Sequence, residues 1–180
     1  GDPLDDMASY FAYCEWAWPG GSSRTANDPD CPHVSYRMLK CPWHTAWRES
    51  GLEDFSVYYC RCVDRAILRG FNPAFRLRLS SCLPQNPEEG CAFHWESAEN
   101  TPALAQRQRR IQDRLRGTQV KDFLYHTAHL YRTLLDCARR QDPQAAALVE
   151  AEAGQAFAQR FGAEAFEQVR QAAQGDFAAI

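Results

Sequence analysis

Val34-Ser35-Tyr36-Arg37-Met38-Leu39-Lys40-Cys41-Pro42-Trp43-His44 is the stretch that decides the fold. Its first seven residues set Val34, Tyr36 and Met38 against Ser35, Arg37 and Leu39, the period of a half-buried strand. Pro42 then stands where a helix begins, a position proline favours because it has no N–H to leave unpaired. Residues 43–49 read as a short helix closed by Gly51. A strand therefore runs directly into a helix, with Cys41 at the junction and His44 three residues on.

Downstream, a second helix is expected over residues 52–69, stopping at Gly70 ahead of Asn72-Pro73. Phe55, Tyr58, Tyr59, Cys62 and Ala66 fall on one face. Cys60 and Asp64 are four apart and so are neighbours on another face. Residues 75–79 alternate as a strand, residues 84–90 turn, and residues 91–96 form a second strand, which gives an antiparallel hairpin. Past Thr101-Pro102 the pattern is helical, over 103–116, 120–140, 144–161 and 163–174. In the second of these, Val120, Phe123, Leu124, Thr127, Leu130, Tyr131, Leu134 and Leu135 make an apolar stripe, opposite Asp122, His126, His129 and Thr133. Upstream, residues 4–18 have helical spacing and a polar loop follows to Pro32. The expected fold is α+β: a small antiparallel sheet packed by several helices, with a helical C-terminal half. Residues 1–33 are read as a separate helix and loop, and 34–180 as one domain.

Composition narrows the function. The chain has 180 residues, 45% hydrophobic, with a net charge of -3. That is enough apolar material for a core, and the balance argues against nucleic acid or an anionic membrane as partner. The basic run Arg107-Gln108-Arg109-Arg110 reads as a solvated helix face. No apolar run approaches the ~20 residues that span a bilayer, and no secretory signal is visible. The eight cysteines sit largely in expected helices and strands rather than in loops. They read as reduced thiols in a cytoplasmic protein that takes a small-molecule substrate.

The chemistry-bearing residues fall in three groups. Cys41, Cys60 and Cys91, with His44 and Asp64 nearby in sequence, offer thiols beside a base and a carboxylate, the parts of nucleophilic catalysis. His126 and His129 share a helix face one turn from Asp122, which suits acid–base work or half of a metal site. Arg37 and Arg65 are candidates for holding a substrate carboxylate, with Tyr125 beside them as a substrate contact. The pattern requires no cofactor. A divalent metal such as zinc is a further possibility, although the Cys60-x-Cys62 spacing is not that of structural zinc sites.

Several of these segments together resemble the L-2-amino-thiazoline-4-carboxylic acid hydrolase family. They are Lys40-Cys41-Pro42-Trp43-His44, Gly51-Leu52, Tyr59-Cys60 with Asp64, Arg69-Gly70-Phe71-Asn72-Pro73, Gly90-Cys91-Ala92-Phe93, and residues 121–131 from Lys121-Asp122 through His126 and His129 to Tyr131. The resemblance runs from about Val34 to Phe177 and does not take in residues 1–33. It implies hydrolytic opening of a 2-amino-thiazoline ring to an N-carbamoyl-cysteine-like product. On residue type, Cys41 or Cys60 is then the nucleophile, His126 or His129 the base and acid, and Asp64 the orienting group. The rival reading is a non-catalytic domain that binds a small ligand or a metal with the same residues.

Overall fold

The structure is a computed structural model that describes residues 2–17 and 20–177. The strands are β1 (Arg24–Asn27), β2 (His33–Lys40), β3 (Arg78–Ser81) and β4 (Cys91–Glu99). The helices are α1 (Met7–Ala12), α2 (Pro42–Glu49), α3 (Glu53–Phe71), α4 (Pro102–Leu115), α5 (Phe123–Gln141), α6 (Pro143–Phe161) and α7 (Ala163–Ala172). One antiparallel sheet has the order β1-β2-β4-β3, and the class is α+β as expected. By its contacts the chain falls into two compact units, Gly1–Val120 and Lys121–Ile180. The boundary expected at residue 33 lies inside the first unit, because β1 pairs with β2 across it, Asn27 opposite Tyr36. The domain expected over 34–180 spans parts of both.

The first unit is built on β4. Cys91, Phe93 and Trp95 alternate onto its inner face and are buried, as the period of two requires. Tyr10 and Phe11 of α1 close on Trp95 with ring centroids 5.5 and 5.2 Å away. Leu68 of α3 and Leu104 and Ile111 of α4 complete this core, each fully buried aliphatic contributing about 1.5–3 kcal/mol. Asp6 caps α1 by accepting from the Ala8 N–H at 2.9 Å. It also pairs with Arg107 of α4 at 3.0 Å, so one carboxylate ties the first helix to the last of this unit. Gly90 precedes β4 with φ +77°, and a Cβ there would stand 2.5 Å from the Met38 carbonyl oxygen. Only glycine lets the two strands approach so closely at that point.

Several expectations are corrected. The loop before Pro32 contains β1. The N-terminal helix is only α1, and the part of that expectation resting on Trp18 lies outside the described residues. The first hairpin strand is Arg78–Ser81 rather than 75–79, since the Arg76 N–H donates to the Ser97 hydroxyl instead of a strand partner. α3 runs through Gly70 to Phe71. The face of α3 that groups Phe55, Tyr58, Tyr59, Cys62 and Ala66 is mostly turned outward, with Phe55 67% and Tyr58 73% exposed, while Tyr59 is half-buried. The inward face instead carries Ser56, Cys60, Val63, Asp64 and Leu68.

In the second unit α5, α6 and α7 pack on one another. Asp142 ends α5 and begins α6, its carboxylate accepting from the Gln144 and Ala145 N–H groups at 2.9 and 3.0 Å, and Pro143 follows at the first helical position. Gly154 of α6 lies against the Phe166 ring of α7, where a Cβ would come within 2.7 Å. Tyr131 meets the same ring edge-on at 5.8 Å. The buried residues of α5 are Ala128 and Leu135, not the full expected stripe: Phe123, Leu124, Leu130 and Leu134 are exposed. The buried positions of α6 are small, Ala146 and Gly154.

Candidate functional site

Three elements of the first unit deliver the site. β2 ends at Lys40, and the turn into α2 leaves Cys41 as the residue before the helix, its side chain making no capping hydrogen bond. α3 presents Tyr59, Cys60, Val63, Asp64 and Ile67 along one side, at the three- and four-residue spacing of a helix face. β4 contributes Cys91 and Phe93. These residues, with Met38, Trp16 and Trp43, line one pocket of about 90 Å³. Cys41, Cys60, Cys91 and Asp64, singled out from the sequence, therefore converge. Trp43 packs edge-on against Trp16 at 5.2 Å and lies 6.3 Å from Tyr59, so aromatic rings wall the pocket.

The electrostatics follow from the lining, which among the described residues contains no lysine, arginine or histidine. Burial holds Asp64 well above a carboxyl's ordinary value, at about 6, against a partial counter-effect of a backbone hydrogen bond. Burial also pushes the Cys60 thiol up to about 12, with the Cys91, Cys41 and Cys82 sulfurs and Asp64 adding to the effect. Cys91 is pushed to about 11 by burial, although its Sγ accepts the Leu83 N–H at 3.2 Å. Cys41 is raised by burial as well, against backbone hydrogen bonds from His44 and Trp43. The Tyr59 phenol rises to about 12, chiefly by burial and then by the charge of Asp64. The resting pocket thus holds neutral thiols and phenols around one carboxyl that titrates near neutrality.

The other expected residues lie elsewhere. His44 is buried, but its Nε2 bonds Glu53 Oε1 at 2.8 Å, joining α2 to the start of α3, and it does not line the pocket. Arg37 points to the opposite face of the sheet, into a different pocket. Arg65 is exposed on α3 and donates back to the Arg61 carbonyl. In the second unit Asp122 caps α5, accepting from the Tyr125 N–H at 2.8 Å, rather than orienting a histidine. His129 stacks on Phe177 at 4.7 Å, and the Tyr125 ring meets both His126 and Phe177 edge-on. Among the described residues, no three His, Cys, Asp or Glu side chains are grouped so as to hold a metal ion. Sequence reasoning missed Trp16, Met38, Tyr59 and Phe93. The strand alternation that put Cys91 and Met38 inward was the signal for Phe93, and helical adjacency to Cys60 and Val63 was the signal for Tyr59. Trp16 sits in an irregular segment and carried no signal.

Fold and pocket together define an α+β protein with a thiol-lined, aromatic-walled pocket around a buried carboxyl. The chain matches the family model of L-2-amino-thiazoline-4-carboxylic acid hydrolase over residues 5–95 and belongs to that family. The match takes in α1 and β1 and every polar side chain of the pocket. No curated protein and no solved structure matches the chain. Among the described residues, no helix is long and apolar enough to cross a membrane.

Proposed function

We propose that this pocket opens a 2-amino-thiazoline-type ring by hydrolysis, with Asp64 as the group that moves the proton. The observation that carries the reading is the convergence of Cys41, Cys60, Asp64 and Cys91 in one pocket inside the segment shared with a hydrolase family. A carboxyl with a pKa of about 6 is mostly ionised at neutral pH yet takes a proton readily, the balance a general base needs. Asp64 removes a proton from water as its oxygen attacks the amidine-like ring carbon. The remaining hydroxyl proton of the tetrahedral adduct moves to the ring nitrogen as the adduct collapses to the carbonyl of an N-carbamoyl group. The C–S bond breaks, and the protonated Asp64 returns its proton to the leaving sulfur, giving a free thiol. Cys60 and Cys91, held neutral by their raised pKa values, favour water over a thiolate as the attacking group. They offer S–H contacts to the ring sulfur.

The test is the ring-opening rate of Asp64→Asn and Cys60→Ser beside wild type, with circular dichroism of each. Asp64→Asn should fold and lose about 10²–10⁴-fold in rate, the usual range for a general base. Cys60→Ser should stay within about tenfold of wild type. A folded Cys60→Ser that loses as much as Asp64→Asn would return the nucleophile's role to Cys60. The eight unpaired thiols support a reducing compartment such as the cytoplasm.

A further inference from the structure

The outer face of the sheet carries a second pocket, of about 360 Å³, that the ring-opening reading does not use. Strand alternation builds it. Where Cys91 and Phe93 of β4 face the thiols, Ala92 and His94 face the other way, in register with Arg37 and Ser35 of β2. A β-bulge in β3 between Leu79 and Ser81 brings Ser80 to the same ring; bulges commonly re-aim side chains in this way. Buried Ser35 donates to Cys31 Sγ at 3.1 Å, and its Oγ lies 3.3 Å from His94 Nδ1. On the other side of the ring, Nε2 lies 3.1 Å from the Ser80 hydroxyl oxygen. The two contacts fix the imidazole orientation. Burial, then the nearby Arg78 charge, lowers the His94 pKa. Around it stand Arg37 on one side of the charge balance and Asp28 and Glu89 on the other. Among the described residues none of these three makes an ion pair, whereas Arg78 is taken up by Glu96.

We infer that this outer pocket binds a small zwitterion of the α-amino-acid type. Arg37 takes the carboxylate, Asp28 or Glu89 takes the cation, and the Ser35–His94–Ser80 relay gives a fixed polar floor. Unpaired charges of both signs in one concave site are matched by a ligand that carries both. A purely anionic or purely cationic ligand leaves one set facing its own sign. The volume holds an amino acid with room for a side chain.

The experiment titrates the full chain with L-serine, N-acetyl-L-serine and ethanolamine, which keep one scaffold while presenting both charges, the carboxylate alone, or the cation alone. Binding is read by calorimetry and by amide shifts in two-dimensional NMR. L-Serine should bind saturably, and each single-charge analogue at least about tenfold more weakly. The amide shifts should centre on residues 92–94 and 35–37. Arg37→Gln, an exposed position, should weaken L-serine by about tenfold or more and leave ethanolamine unchanged. Asp64→Asn, which disables the thiol pocket, should bind L-serine as wild type does. No saturable L-serine binding up to about 10 mM would overturn the assignment. So would equal binding of the three probes, indifference to Arg37→Gln, or loss of binding in Asp64→Asn.

Discussion

Asp64 illustrates how one side chain sets both a pH profile and a stability. The folded carboxyl titrates near 6 against an ordinary 3.8. Between those values the native chain keeps a proton that the unfolded chain has released, so stability falls as pH rises through that window, and the loss stands in full above it. A shift of about two pH units corresponds to roughly 3 kcal/mol. Asp64→Asn removes the buried charge, and urea unfolding at pH 7 should find it about 1–3 kcal/mol more stable than wild type, with the difference vanishing near pH 4. An Asn variant equal to or below wild type at pH 7 would show that the carboxyl is well solvated. In wild type the same titration predicts that kcat/KM rises with pH through about 6 and then levels. A profile flat from pH 5 to 8 would remove Asp64 from the proton transfer. The sequence placed Asp64 one turn from Cys60, which is where the structure has it. It could not show the pKa, because that comes from desolvation by residues distant in the chain.

Elements were legible where a local signal was strong. β2 followed from alternation and α2 from Pro42, and both stand within a residue of expectation. Faces were less legible. On α3 the apolar spacing rule groups Phe55, Tyr58, Tyr59, Cys62 and Ala66 on one face but does not say which way it turns: all but Tyr59 are exposed. The inward side reads as mixed because a site tolerates thiols and a carboxyl where a plain core would not. On α5 the same rule picked the long leucines over Ala128. Leu135, 6% exposed, should cost about 2–4 kcal/mol when cut to alanine, and Leu134, 59% exposed, under about 1. Comparable losses in thermal unfolding of the two variants would reverse the face assignment. Gly90→Ala faces both a left-handed backbone and the Met38 carbonyl. Its cost should exceed about 2 kcal/mol, and a variant with unchanged melting would show that the strand pair can shift apart.

At the scale of the whole molecule, the sulfur inventory is the most direct check. Cys14, Cys62 and Cys137 are exposed, Cys82 and Cys91 buried, and all eight are free. An aromatic disulfide reagent should react fast with the exposed three and reach eight only on denaturation without reductant. A denatured count below eight would mean that some pair in the isolated protein. The site's assembly was visible in sequence only as a set of separated motifs. Cys41, Cys60 and Cys91 are brought together by sheet pairing and helix packing, and neither spacing nor composition encodes a distance across fifty residues. The histidines of residues 121–131 looked equally chemical in sequence, yet they belong to the second unit, where His129 stacks on Phe177.

Two of the chain's five tryptophans, Trp16 and Trp43, line the thiol pocket with Tyr59, and Trp47 packs against Tyr59. The molecule therefore carries its own optical gauge. Indole emission is sensitive to solvent polarity and is quenched by nearby sulfhydryl groups, so much of the ultraviolet fluorescence originates where a substrate would displace water from those rings. Filling the pocket should shift and brighten that emission without any added label, and a stopped-flow trace would then time arrival and departure separately from bond cleavage.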